Sequence, residues 1–202
     1  MGESTESEIK YLLQGAEDYR RLAGPGGLGE PRRTERQENF YLDTADGILS
    51  GKRIMLRLRR LSTAAVLTWK RGAEVEAGFF RSQEIEGPLS LEEAAEVLAH
   101  PAALYHLPLP PVEETRARFG ELTLQVVGSL VNERTFHQAP GFQVELDRVT
   151  FPDGSQFFEV EVETEDPSAA RAWLEETFRS LGVNAAPSRM TKLARLKSAK
   201  AH

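Results

Sequence analysis

Same-sign charges recur at alternate positions in five segments of this 202-residue chain: Glu6/Glu8, Arg57/Arg59, Glu84/Glu86, Glu145/Asp147 and Glu159/Glu161/Glu163. On a β-strand such neighbours share a face about 7 Å apart, and at an effective dielectric near 20 two like charges at that distance repel by about 2.4 kcal/mol. A wet sheet face ordinarily accounts for one such pair; five of them ask for compensation. Divalent cations would compensate the carboxylates, since Mg²⁺ and Mn²⁺ take oxygen ligands, retain waters and bind phosphates. A polyanion would compensate the arginines, whose planar forks match phosphate oxygens. A triphosphate carrying metal ions needs both sets in one cavity, and a barrel with a charged inner face would supply it.

The elements that must position these residues follow from periodicity. Apolar and polar residues alternate over 6–12, 54–59, 66–70, 79–86, 144–147 and 158–163, the mark of strands with one apolar face. Helical patterns lie between them. A short helix is expected near Glu17 to Leu22, followed by the Gly/Pro-rich loop 24–31. Ser90 with Glu93 makes a capping box for a helix to about Ala99. Asp166-Pro167 starts a helix that runs to about Leu181 and stops at Gly182, and a last helix follows Pro187. Residues 101–111 read as a loop or broken helix. Many antiparallel strands with a few helices mean an α+β fold, a meandering sheet or a barrel, and the length suits a single domain over 1–202.

Composition narrows the function. With 25 Lys+Arg against 31 Asp+Glu the net charge is −6, which speaks against a nucleic-acid partner. No run of 18 apolar residues and no apolar leader is present, and there is no cysteine, so a cytoplasmic protein without membrane attachment is expected. Gly24, Gly26 and Gly29 match a dinucleotide-binding spacing, but Pro25 lies inside it and the flanking strand and helix are missing. His100, His106, His137 and His202 lack zinc spacing and are expected on the surface or in loops. Trp69 and Trp173 read as core packing, and Gly128-Ser129-Leu130 lacks the second glycine of a nucleophile elbow.

Glu6-x-Glu8-x-Lys10 resembles the ExExK signature of the CYTH superfamily, the triphosphate tunnel metalloenzymes, which include thiamine triphosphatases, inorganic triphosphatases and class IV adenylate cyclases. The order of later segments is similar as well: Tyr41-Leu42-Asp43-Thr44, Leu56-Arg57-Leu58-Arg59, Leu67-Thr68-Trp69-Lys70, Glu84-x-Glu86, Asn132-Glu133-Arg134, Glu145-Leu146-Asp147, Glu159 to Glu163 and Ser188-Arg189-Met190-Thr191-Lys192. The resemblance spans about residues 4–197, and residues 37–44 with the late helix most resemble a bacterial branch of small stand-alone proteins associated with inorganic triphosphate hydrolysis.

This resemblance implies an antiparallel eight-stranded barrel with flanking helices and a tunnel charged in both signs. It implies two Mg²⁺ or Mn²⁺ ions held by Glu6, Glu8, Glu159 and Glu161, with Asp147 joining at the second and Glu84 or Glu86 completing the acidic face. Lys10, Arg57, Arg59, Lys70, Arg134 and Lys192 would bind the triphosphate, with Arg116 and Arg118 as rivals of Arg134 and Arg189 as the rival of Lys192. Lys70 would neutralise the leaving diphosphate, and Tyr41 would pair with Lys10 and tune its proton affinity. Glu145 and Glu163 are secondary candidates, and Arg53 and Arg60 read as surface charges. The expected activity is metal-dependent hydrolysis of a compact triphosphate, inorganic tripolyphosphate first, by a monomer or homodimer. The alternatives are thiamine triphosphate hydrolysis, ATP cyclisation, and a non-catalytic polyphosphate or nucleotide-binding module.

Overall fold

The computed structural model describes residues 4–200, without the side chains of residues 73–75 and 200. Along the chain run β1 (Ser4–Leu13), α1 (Ala16–Ala23), β2 (Arg33–Asp43), α2 (Ile48–Gly51), β3 (Ile54–Arg60), β4 (Ala65–Glu76), β5 (Phe79–Leu89) and α3 (Leu91–Ala99). A 3-10 turn at Pro101–His106 then leads to α4 (Pro110–Phe119), β6 (Gln125–Ala139), β7 (Phe142–Thr150), β8 (Gln156–Glu163), α5 (Pro167–Leu181), β9 (Ala185–Pro187) and α6 (Lys192–Lys200). The strand order is β5-β4-β3-β2-β6-β7-β8-β1, every pair antiparallel, and β1 returns to β5 to close an eight-stranded barrel. β1 shares this last edge between two partners, β5 along Ser4 to Ile9 and β9 along Tyr11 to Leu13.

The barrel has its apolar face outward. Leu56, Leu58, Leu67, Trp69 and Ile85 point out of β3–β5 and are buried beneath Ala94 and Val97 of α3, Leu104 of the 3-10 turn and Val112 of α4. On the opposite side Ile9, Tyr11, Val144, Leu146, Val160 and Val162 pack against Leu22 of α1 and Ala170, Leu174 and Phe178 of α5. Two outer cores of this kind leave the bore free to be polar. One end of the bore is apolar: Tyr41, Leu130, Val149 and Phe157 meet Leu193 and Leu196 of α6, which plugs that mouth.

The helix signals read from sequence are realised. Ser90 Oγ accepts from Glu93 N–H at 3.1 Å while Glu93 Oε2 accepts from Ser90 N–H at 2.8 Å. Asp166 Oδ1 accepts from Ala169 N–H at 3.0 Å, and Gly182 ends α5 at φ 63°. The turn joining β4 to β5 needs glycine at 78, where φ is 83° and a Cβ would come within 2.7 Å of Lys10 O; Gly78 O in turn accepts from Lys10 N–H at 2.8 Å, docking this turn on β1.

Residues 101–111 are not a plain loop but, as the second expectation has it, a broken helix: the 3-10 turn at Pro101–His106 and then the start of α4. Two prolines at its first turn begin α4, because proline costs nothing where the helix has no N–H partner to lose. His137 is not at the surface either. It is buried on the outer face of β6, with Nδ1 3.0 Å from Gly29 O and Nε2 2.9 Å from Thr135 Oγ1, so it clasps the Gly/Pro-rich loop to the barrel. Burial pushes its pKa down. His202 lies outside the described residues. Among the described residues no helix is long and apolar enough to cross a membrane.

Candidate active site

Alternation along each strand turns the charged positions inward, and register then sets which charges meet. Lys10 of β1 lies opposite Glu161 of β8, Glu161 opposite Glu145 of β7, Asp147 opposite both Glu159 and Arg134 of β6. Across the barrel, Lys70 faces Glu84, Thr68 faces both Arg57 and Glu86, and Arg59 faces Asn39. The result is a cavity of about 370 Å³. Its walls carry Lys10, Arg57, Arg59, Lys70, Arg134 and Lys192 together with Glu6, Glu8, Glu84, Glu86, Glu145, Glu161 and Glu163. All six cations expected in the bore are there, and five of the seven expected acids.

Asp147 and Glu159 are the two that are not. Asp147 is fully enclosed, bidentate to Arg134 (Nε–Oδ1 2.7 Å, Nη2–Oδ2 2.6 Å) and 2.9 Å from Lys192 Nζ. Glu159 is equally enclosed, accepting from Ser188 Oγ at 3.1 Å and lying 3.0 Å from Lys192 Nζ. The beginning of α6 covers both, so they anchor cations from beneath instead of facing the open bore. The Thr191 hydroxyl accepts from Ala194 N–H at 3.2 Å and starts that helix, which delivers Lys192 into the barrel.

Most cations of the bore are held by carboxylates. Lys10 Nζ is 3.0 Å from Glu8 and 3.1 Å from Glu161. Lys70 pairs with Glu6, with Glu84 at 3.2 Å and with Glu8 at 3.6 Å. Lys192 reaches Glu161 at 2.5 Å, and Arg134 binds Glu145 and, at 2.7 Å, Glu161. Burial by itself would lower the Lys70 ammonium, but Glu8, Glu84 and Glu6 outweigh it and hold the pKa above the usual lysine range. The same balance, with Asp147, Glu161 and Glu159 prevailing over burial, raises Lys192. Burial would raise Glu161, yet Lys10, Lys192 and Arg134 bring it well below the usual carboxylate range. Glu145 goes the other way: burial exceeds the pull of Arg134 and lifts it to about 7.

Arg57 and Arg59 differ. Arg59 Nε donates to Asn39 Oδ1 at 3.0 Å, and among the described residues no carboxylate pairs with it. Burial, then the charges of Arg57 and Arg134, pushes its pKa down. Arg57 Nη2 donates to Thr68 Oγ1 at 3.2 Å and stands 3.8 Å from Glu84, while its Nε is buried without a hydrogen-bond partner among the described residues.

Several expected roles move. Tyr41 lines the bore and burial raises its pKa against the pull of Arg57, Lys192, Arg59 and Lys10, but among the described residues no hydrogen bond joins it to Lys10, whose carboxylate partners are Glu8 and Glu161. Arg116 and Arg118 sit outside the barrel on α4, where Arg116 donates to Tyr105 O at 2.5 Å and Arg118 binds Glu114. Arg189 is exposed beside a second hollow shared with Arg53 and Lys197, leaving Lys192 as the cation of that segment in the bore. Arg60 pairs outside with Glu38. Asp43 and Thr44 are structural: Asp43 accepts from the N–H groups of Thr44, Leu49 and Ser50 and so sets the turn into α2. Sequence reasoning missed Thr68 and Asn39, whose signal was an uncharged polar residue at an inward position beside charged ones.

A closed antiparallel barrel, apolar outside and ion-lined within, defines the triphosphate tunnel architecture. The CYTH domain profile matches residues 4–195, and the chain belongs to the CYTH family. Among solved structures, a candidate adenylyl cyclase from Hippeastrum, HpAC1, reported with a dominant triphosphatase activity, is 23% identical over 96% of both chains with a TM-score of 0.88. A candidate adenylate cyclase from Bacillus halodurans is 24% identical over 96% of this chain and 98% of its own, with a TM-score of 0.74. The PH1819 protein of Pyrococcus horikoshii OT3 is 20% identical over 95% and 99%, with a TM-score of 0.59. No curated protein sequence matches.

Proposed function

We propose that this chain is a divalent-metal-dependent triphosphatase of the small bacterial kind, with inorganic tripolyphosphate as its first substrate. The observation that carries the reading is the Arg57/Arg59 pair, two inward guanidinium groups whose closest partners are neutral, in a cavity lined by four further cations. Like charges so placed repel, and a phosphate chain, whose oxygens match guanidinium forks, would relieve the repulsion. A cavity of about 370 Å³ lies at the small end of ligand pockets and suits a compact phosphate chain. The triphosphatase activity reported for the Hippeastrum protein supports the same reading.

The donor set fits a hard divalent cation. Glu6, Glu8, Glu84, Glu86 and Glu163 crowd one part of the bore, and burial, then the charges of Glu6, Glu8 and Glu84, raises Glu163. Carboxylate oxygens alone make up this group, as Mg²⁺ and Mn²⁺ prefer. Among the described residues no three of them converge on one point as they stand, because the Lys70 ammonium lies between Glu6, Glu8 and Glu84. Glu6, Glu8, Glu84, Glu86, Glu161 and Glu163 would hold the ions. A divalent cation bound there would supply a water of lowered pKa and neutralise phosphate oxygens. Arg57 and Arg59 orient the phosphate chain, and Lys10, Arg134 and Lys192 steady the terminal phosphoryl group as charge spreads over its oxygens. Water would add to the terminal phosphorus as the bond to the bridging oxygen breaks; one of its protons stays on the phosphate formed, the other goes to the diphosphate, which leaves near Lys70, whose ammonium offsets its charge.

Tripolyphosphate, thiamine triphosphate, ATP and pyrophosphate, each with Mg²⁺ or Mn²⁺, separate the readings when phosphate, diphosphate and cyclic AMP are measured. The expected result is phosphate and diphosphate from tripolyphosphate at the highest kcat/KM. Binding without turnover of any triphosphate would reject the enzyme in favour of a polyphosphate or nucleotide-binding module, and cyclic AMP from ATP would make it a cyclase.

A further inference from the structure

We propose that Thr68 and Asn39 are positioning residues that keep Arg57 and Arg59 available to the substrate by holding them with neutral oxygens in place of carboxylates; the inference rests on the triphosphate reading above. Each lies directly across the ladder from its arginine, Thr68 opposite Arg57 and Asn39 opposite Arg59. Both are buried.

The Thr68 hydroxyl accepts from Arg57 Nη2 at 3.2 Å and donates to Glu86 Oε1 at 2.9 Å. It therefore stands between a guanidinium and a carboxylate of the same cavity. Without it the two would be free to join directly, and the charge of each would be spent on the other. Asn39 does the same for Arg59 by another route. Its Nδ2 donates to Gln37 O at 3.1 Å, which fixes the amide so that Oδ1 faces Arg59 Nε at 3.0 Å. Among the described residues only Nε of that guanidinium is engaged by a side chain, so both Nη groups remain for a ligand.

Arg134 shows what the other choice produces. Its Nε and Nη2 are engaged by Asp147 and its Nη1 by Glu145, so a phosphate must displace a carboxylate before it can form a fork with this side chain. Neutral partners orient nearly as well, because a buried hydrogen bond is directional whatever its charge; they leave the charge of Arg59 without a carboxylate partner among the described residues and that of Arg57 offset only by Glu84 at 3.8 Å.

The sharp test is Asn39→Asp, which keeps the shape and adds the carboxylate that the structure avoids. Its readouts are the thermal midpoint, tripolyphosphate affinity by calorimetry with metal chelated, and KM and kcat with Mg²⁺. A purely structural role predicts an unchanged or better site, since Arg59 gains an ion pair. The positioning role predicts a thermal midpoint no lower than wild type, tripolyphosphate affinity weakened about tenfold or more, and a rise in KM larger than the fall in kcat. Thr68→Val should raise KM about tenfold, and Thr68→Ser should restore it to within about twofold of wild type. The inference is overturned if Asn39→Asp binds tripolyphosphate as tightly as wild type, or if Thr68→Ser is as impaired as Thr68→Val. Should Asn39→Asp not fold, the Thr68 pair decides alone. Absence of tripolyphosphate affinity in the wild-type protein would instead reject the functional reading on which the inference stands.

Discussion

Two walls of the bore carry cations and hold them in different ways. On the wall made by β1, β6, β7, β8 and the start of α6, each cation is matched to carboxylates: Lys10 to Glu8 and Glu161, Lys192 to Asp147, Glu159 and Glu161, Arg134 to Glu145, Asp147 and Glu161. On the wall centred on β3, Arg57 and Arg59 rest chiefly on Thr68 of β4 and Asn39 of β2. A buried ion pair stabilises little beyond the cost of desolvating its members, but removing one member is expensive. An uncompensated buried charge is a standing cost that a bound anion relieves. The matched wall is therefore part of what keeps the barrel folded, whereas the unmatched wall lowers stability to favour ligand. Any variant that treats the two walls alike would break this comparison.

The largest effect is expected from Glu161→Gln, which strips the matched wall of its shared acid. Lys10, Lys192 and Arg134 all contact Glu161, and it is only 4% exposed. Loss of one partner from a buried ionic cluster costs about 3–5 kcal/mol, so urea denaturation should show a fall of that order. Tripolyphosphate turnover should collapse as well, because the three cations lose their alignment. A variant as stable as wild type would show that Lys192 and Arg134 are adequately held by Asp147, Glu159 and Glu145 without Glu161.

Arg59→Met should behave in the opposite sense. It removes a guanidinium with no carboxylate partner and keeps much of the volume, so stability should stay level or rise by about 1 kcal/mol in urea titrations. Turnover should suffer greatly: kcat/KM for tripolyphosphate is expected to fall about 100-fold, since charge-assisted contacts strengthen as the transferring phosphoryl group develops charge. Simultaneous loss of stability and activity would place Arg59 with the matched cations and remove the distinction between the walls.

The sequence shows this contrast only in part, for a physical reason. Alternation reveals which face of a strand a residue occupies, and the apolar residues on one side of 54–59, 66–70 and 158–163 oblige the charges onto the other. It does not reveal depth along the bore. Glu159 and Glu161 look equivalent in sequence, but α6 seals over the first and leaves the second open, because register and the plugging helix are long-range features. Neither β2 nor β6 shows in the alternation: on β6, Leu130, Asn132 and Arg134 mix apolar and polar residues on the buried face, and on β2 Gln37, Asn39 and Tyr41 do the same. α4 is obscured by Pro110 and Pro111, which read as breakers although they begin a helix. The neutral tethers were hidden because Thr and Asn at inward positions gain meaning only when the residues opposite them are known.

The smallest and most discriminating expectation concerns Lys70 of β4, a matched cation that lies on neither of these two walls. Its ammonium occupies the space among Glu6, Glu8 and Glu84 that a divalent cation would need. In the absence of substrate, lysine and a divalent cation would therefore compete for the same oxygens. Replacing it by Lys70→Met should tighten Mn²⁺ binding by about tenfold, or about 1.4 kcal/mol, in calorimetric titrations without any phosphate present. Arg59→Met should leave that metal affinity unchanged, since Arg59 touches none of these carboxylates. If Lys70→Met weakened Mn²⁺ binding, the ammonium would be holding the carboxylates in place for the ion instead of contesting them, and matching would then be a form of preorganisation. An equal gain in both variants would instead mean that metal affinity follows the total charge of the bore, with no memory of which wall supplied it.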